Sequence, residues 1–148
     1  MEKFSSAVWK GILKEGKGSI TSESGALQGV PISFATRFEQ VKGSNPEELI
    51  GAAHAACFSM ALAAELGKIG FEPHRIDTRA TVRLEKDGAG FTITDVYLST
   101  QAVVPNLDHK TFLEAAQVSK RNCPVSKLLN ASIHLEATLG TSLVAEAG

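Results

Sequence analysis

The sequence predicts an α+β fold with mainly antiparallel strand pairing. Three observations carry that expectation. Segments that alternate between apolar and polar residues, most cleanly Arg75–Glu85 and Ser132–Leu139, read as half-buried strands. Helical segments open at Asn45-Pro46, Asp108 and Pro124, each with a recognisable start signal. The strands come in runs interrupted by helices, in an order of about βββ-α-ββ-αα-β.

At 148 residues the chain is long enough for one domain, expected to span residues 1–148. A chain of that size buries roughly two thirds of its unfolded surface and needs no disulfide scaffold. Fifteen Lys plus Arg against sixteen Asp plus Glu leave a net charge of −1. That balance gives no electrostatic reason to expect nucleic acid or an anionic membrane as a partner. The opening Met1-Glu2-Lys3-Phe4 lacks the apolar core of a signal peptide, so a cytoplasmic location is expected. In such a reducing compartment the two cysteines, Cys57 and Cys123, are more often buried, catalytic or redox-active than structurally bridged.

Three short strands come first: Phe4–Lys10, Gly18–Ser22 and Val30–Phe38. Glycine-containing turns at Gly16-Lys17-Gly18 and Gly25 separate them. Asn45 then caps a helix with Pro46 in its first position and Glu47 and Glu48 in its first turn, where the helix dipole favours acids. Gly67 and Gly70 mark its end. Its apolar stretch, Leu49 to Ala64, is shorter than the ~18 residues of a membrane span and contains His54 and Ser59, so it reads as a buried helix.

In Arg75–Glu85 the residues Ile76, Thr78, Ala80, Val82 and Leu84 share one face. Asp87-Gly88-Ala89-Gly90 turns the chain into a strand from Phe91 to about Ala102, whose phase slips near Thr94-Asp95 and predicts a bulge. Asp108 caps a second helix to about Asn122, and Pro124 opens a short third one. The last strand, Ser132–Leu139, turns Ile133, Leu135, Ala137 and Leu139 inward.

The first helix also predicts assembly. From Pro46 to Lys68 it is about 34 Å long, and its middle has almost no polar face. A helix apolar all round must be covered all round, and one small sheet with two further helices leaves that task to a partner subunit. An obligate homodimer is therefore expected.

Cys57 lies mid-helix, where no dipole stabilises a thiolate; its bland reading is a small buried hydrophobe, and reactivity needs a cation from elsewhere. Cys123 precedes Pro124 at a helix N-terminus, which on local physics makes it the more acidic thiol; its bland reading is a helix–helix junction. His54 and Cys57 share a helix face, but no CxxC or HxxxH pattern supplies further zinc ligands. No phosphate-binding Gly-rich loop and no Gly-x-Ser-x-Gly elbow is present. Arg37, placed in the third strand beside Phe34, Ala35 and Phe38, reads as partly buried and in need of an anion, for which Glu47 is a candidate. The bland alternative is a surface Arg on an edge strand.

The run Asn45-Pro46-Glu47-Glu48-Leu49-Ile50-Gly51-Ala52-Ala53-His54-Ala55-Ala56-Cys57-Phe58-Ser59-Met60-Ala61-Leu62 resembles the osmotically inducible protein C and organic hydroperoxide resistance (OsmC/Ohr) family. So does Asn122-Cys123-Pro124-Val125-Ser126-Lys127-Leu128-Leu129. The resemblance covers nearly the whole chain, and Thr36-Arg37-Phe38-Glu39 with Ala53-His54-Ala55-Ala56-Cys57 resembles the OsmC branch. It implies an OsmC-like fold, with antiparallel sheets around a long buried central helix in an intertwined homodimer. It also implies a thiol peroxidase that reduces organic hydroperoxides to alcohols.

Carried over, Cys57 matches the peroxidatic cysteine, Cys123 the resolving one, and Arg37 and Glu47 the activating Arg and its carboxylate partner. This reverses the local ranking of the two thiols. No metal, haem or flavin is implied; an external dithiol or a lipoylated protein serves as reductant. Glu47 and Cys57 are ten residues apart, or about 15 Å along a straight helix, which a Glu side chain does not span, so Glu47 and Arg37 are expected to act on Cys57 of the other subunit across a two-fold axis. Two rivals stand beside this reading. One is a non-catalytic dimeric module that binds a small apolar ligand. The other is a thiol redox sensor of the same fold.

Overall fold

The computed structural model describes residues 1–140, and the chain forms two compact units, Met1–Leu49 and the part from Ile50 onward. In the first, β1 (Ser5–Lys10), β2 (Lys17–Ser22) and β3 (Val30–Ser33) form an antiparallel sheet in the order β1-β2-β3. Ser5 lies opposite Ser22 and Lys10 opposite Lys17. Glycine at position 18 lets the hairpin close, because a Cβ there would sit 2.5 Å from the Val8 carbonyl oxygen. Every residue of β1 is exposed within the single chain.

The third strand is shorter than its sequence suggests. It ends at Ser33, and Phe34–Phe38 forms a helix, α1. The reason is a reciprocal cap: the Thr36 N–H donates to Ser33 Oγ at 3.1 Å, and the Ser33 N–H donates to Thr36 Oγ1 at 2.9 Å. Arg37 therefore sits on a capped helical turn and not on an edge strand. Helix α2 (Pro46–Lys68) follows, and its first turn belongs to this unit. Asn45 caps it as predicted, with Oδ1 accepting the Glu48 N–H at 2.8 Å.

In the second unit α2 buries Gly51, His54, Phe58, Leu62 and Leu66, one face at helical spacing. By length and composition the helix could cross a membrane, with mean hydropathy 1.5 over its most apolar window. Its buried face instead meets β4 (Arg75–Asp87). Ser59 Oγ donates to Thr78 Oγ1 at 2.8 Å, and a Cβ at Gly51 would lie 3.2 Å from the Ala80 carbonyl oxygen. The opposite face, with Ala52, Ala53, Ala56, Met60 and Ala64, is exposed within one chain.

Strand β4 pairs antiparallel with β5 (Gly90–Val103), and the register shifts where Arg83 faces Asp95 and Leu84 faces Ile93. Thr94 is the extra residue, so the bulge stands where the phase slip placed it. Helices α3 (His109–Asn122) and α4 (Pro124–Leu128) lead to β6 (Ser132–Gly140), which pairs parallel with β5. The sheets are thus mainly antiparallel, with one parallel ladder. Phe58, Leu62, Leu66, Val96, Leu98, Phe112, Ala116 and Cys123 form the core of this unit.

Candidate functional site

Each unit presents one element of chemistry. In the first, the guanidinium of Arg37 grips the Glu47 carboxylate: Nη2 donates to Oε1 at 2.7 Å, and Nε lies 3.2 Å from Oε1 and 3.3 Å from Oε2. The Glu47 side chain is only 14% exposed and that of Arg37 34%. A nearly buried carboxylate thus fixes a cation that remains a third exposed. The Arg37 guanidinium also lies 5.2 Å from the centre of the Phe38 ring. The ion pair between Arg37 and Glu47 that the sequence suggested is formed.

In the second unit the two cysteines meet. Cys123 is fully buried at the junction where α3 ends and α4 begins, with its N–H donating to the Ser119 carbonyl at 2.9 Å. Cys57 is half-buried on α2, and its thiol is hydrogen-bonded to the Cys123 thiol. Both are free thiols. Burial pushes the Cys57 thiol above its ordinary pKa, and the neighbouring Cys123 pushes it further in the same direction. One contact works the other way: the backbone N–H of Val125 donates to the Cys57 sulfur and stabilises its thiolate.

That contact corrects where the free N–H groups of α4 are used. The sequence placed the free N–H groups of α4 with Cys123, the residue next to them in the chain. Cys123 makes no side-chain cap on α4. The N–H of the second helical residue serves Cys57, which arrives from α2 instead. Mid-helix placement therefore does not leave Cys57 without a backbone donor. Periodicity cannot reveal such a donor, because it lies 68 positions away in the chain.

His54 is a further residue at this site. It is fully buried one turn before Cys57, and Nε2 lies 2.7 Å from Ser126 Oγ on α4. Its Nδ1 is buried with no hydrogen-bond partner, and burial holds the imidazole below its usual pKa, so the ring is neutral at pH 7. Considered only as a zinc ligand, His54 finds no companions: among the described residues no three His, Cys, Asp or Glu side chains gather to hold a metal.

The OsmC family profile, described as OsmC-like protein, matches residues 39–138. The chain is 52% identical over 139 residues to Peroxiredoxin OsmC of Escherichia coli (strain K12), an alignment covering 94% of this chain and 97% of that one. It is 27% identical over 124 residues to the Organic hydroperoxide resistance protein OhrB of Bacillus subtilis (strain 168), covering 82% of this chain and 88% of that one. The crystal structure of that OhrB superposes with a TM-score of 0.71 at 29% identity, over 90% of this chain and 97% of the other. An OsmC-like protein from Vibrio cholerae O1 biovar eltor shares the fold, with a TM-score of 0.73 at 16% identity over 93% of this chain and 99% of the other.

Proposed function

The chain belongs to the OsmC family and is a thiol-dependent peroxidase, and we propose that Cys57 is its attacking thiol and Cys123 its resolving one. The observation that carries this assignment is the hydrogen-bonded thiol pair with the Val125 N–H on the Cys57 sulfur. The half-buried thiol is open to a substrate, whereas the fully buried one is reached only by its neighbour.

The Cys57 thiolate attacks the distal oxygen of an organic hydroperoxide. An S–O bond forms, the O–O bond breaks, and the leaving alkoxide takes up a proton to become the alcohol. Cys57 is left as a sulfenic acid. The Cys123 sulfur then displaces that hydroxyl, which departs as water with the thiol proton, and a Cys57–Cys123 disulfide remains. An external dithiol, a lipoylated protein among the candidates, reduces it by exchange and is itself oxidised to a disulfide. The cysteines carry both electrons, so no prosthetic group enters. A reducing cytoplasm maintains such dithiols.

Burial opposes the thiolate, and one backbone N–H offsets that opposition only in part. We assign the remaining stabilisation to Arg37, held by Glu47. Its planar fork also suits the charge that develops on the peroxide oxygens. The exposed stripe of Ala52, Ala53, Ala56, Met60 and Ala64 on α2 supports a homodimer, because apolar helix faces are stable when covered. In that dimer Arg37 and Glu47 of one subunit serve Cys57 of the other. The apolar surroundings of Cys57, with Phe58 and Val125 packed in the same core, favour a peroxide with an organic tail over hydrogen peroxide.

Steady-state reduction of cumene hydroperoxide with dihydrolipoamide tests the reading. Stoichiometric alcohol and continued turnover are expected. A single oxidation with no turnover would identify a redox sensor, and no thiol loss at all would identify a non-catalytic binding module.

A further inference from the structure

Helix α4 is a weakly anchored element with a demanding task. It has five residues, none of them fully buried, and only Val125 and the adjoining Leu129 pack against the core. Yet its N-terminus carries the Cys123 sulfur and the Val125 N–H, both of which must meet Cys57. Among the described residues, one hydrogen bond between oxygen or nitrogen side-chain atoms joins α4 to α2: His54 Nε2 to Ser126 Oγ, at 2.7 Å.

The spacing of this bond is informative. His54 stands three residues before Cys57, and Ser126 three residues after Cys123. Three residues is roughly one helical turn, about 4.5 Å of rise. The two pairs therefore form successive rungs between antiparallel segments, so fixing one rung sets the register of the other. A buried imidazole suits the role because it is neutral, rigid and already desolvated. Its Nδ1 finds no partner in the core, so Ser126 supplies the one hydrogen bond the ring makes. Loss of that bond would leave a second orphaned nitrogen.

We propose that the His54–Ser126 hydrogen bond is a positioning device that registers α4 against α2 and thereby sets the rate at which Cys123 closes on oxidised Cys57. His54 and Ser126 act through the sulfurs' geometry and touch no reacting atom. The proposal rests on the assignment of Cys57 and Cys123 above. The step it governs is the condensation of Cys57 sulfenic acid with the Cys123 thiol to a disulfide and water. Closure is more sensitive to register than the first oxidation. A disulfide demands sulfurs about 2.05 Å apart in a restricted dihedral range, whereas an N–H contact to sulfur tolerates small displacements.

The test is single-turnover kinetics after one equivalent of cumene hydroperoxide, with dimedone present to trap sulfenic acid. Wild type, Ser126→Ala, Ser126→Thr and His54→Leu are compared, and peroxide loss is followed separately from disulfide formation. In Ser126→Ala and His54→Leu, disulfide closure should slow on the order of tenfold, the loss of one hydrogen bond in a tuned geometry. Peroxide loss should stay within about twofold, and dimedone adduct at Cys57 should rise. Ser126→Thr, which keeps the hydroxyl, should restore closure. Ser126 is only partly buried, so its Ala variant keeps the test open if His54→Leu does not fold. Closure at the wild-type rate in Ser126→Ala, or equal slowing of both steps, would overturn the proposal. Wild-type protein that forms neither sulfenic acid nor disulfide would instead overturn the assignment of the cysteines themselves.

Discussion

The two units of the chain prepare opposite kinds of group. Around Arg37 the first unit builds with polar contacts: a Ser33–Thr36 capping box sets the helical turn, and Glu47 orients the cation, which remains a third exposed. Around Cys57 the second unit builds with apolar packing, and the partner thiol is fully buried. Burial suits a disulfide, because it keeps water and stray oxidants from the intermediate. It works against a thiolate, whose charge it penalises, and the Cys57 pKa rises accordingly. An apolar core thus makes a site for closing a disulfide but a poor one for starting the reaction, and in the proposed mechanism a cation held on a polar scaffold supplies what is missing.

Breaking the thiol side has the largest expected effect. Cys57→Ser should reduce peroxide turnover to the uncatalysed level, measured as alcohol formed from cumene hydroperoxide, because in the proposed mechanism no other group attacks the peroxide.

Breaking the cationic side comes next. Arg37→Lys replaces a planar fork that grips Glu47 through two nitrogens with a point charge. The first oxidation should slow on the order of a hundredfold, the scale for removing one preorganised donor from developing charge. The titration of Cys57 should show why. In a Cys123→Ser background its pKa should fall, since Cys123 is one of the groups that raise it. Adding Arg37→Lys should then move it back up, so that less thiolate is present near neutral pH. Absorbance of the thiolate against pH checks both signs.

A heterodimer sharpens where the cation acts. A Cys57→Ser chain paired with an Arg37→Ala chain holds, if Arg37 works across the dimer, one site with both groups intact. Roughly half the wild-type activity should return. An inactive purified heterodimer would place Arg37 beside the Cys57 of its own chain.

The smallest effect probes the scaffolds. Ser33→Ala removes the cap of α1 and should destabilise the protein by about 1 kcal/mol, whereas Phe58→Ala in the core should cost about 3–5 kcal/mol. Denaturant melts give both values. The two variants should differ in kind as well. Ser33→Ala loosens the turn that carries Arg37 and should lower activity at temperatures where the protein is still folded.

The sequence made most of the second unit legible because its signals are periodic. The alternation in β4 and β6, the Asp108 cap and the slip at Thr94 each report a local backbone geometry. Helix α1 was not legible, because Ser33 is followed three residues later by Thr36 and not by the Glu or Gln of the usual capping box. Apolar Phe34, Ala35 and Phe38 therefore read as a continuing strand. The parallel pairing of β6 with β5 depends on where α3 and α4 return the chain, which alternation does not encode. Among the candidate residues, Arg37, Glu47, Cys57 and Cys123 stood out by residue type and family motif. Val125 acts through a backbone N–H, which any residue but proline carries, and Ser126 through a contact distant in sequence. Neither leaves a mark in composition or spacing.

The division of labour between the two thiols is tested most directly by intact mass and peptide mapping of Cys123→Ser after one equivalent of cumene hydroperoxide. A single oxygen on Cys57, advancing to the sulfinic acid with more peroxide, is the predicted result. A Cys57 that stays a free thiol in that variant, while Cys57→Ser gains oxygen at Cys123, would reverse the roles of the two cysteines.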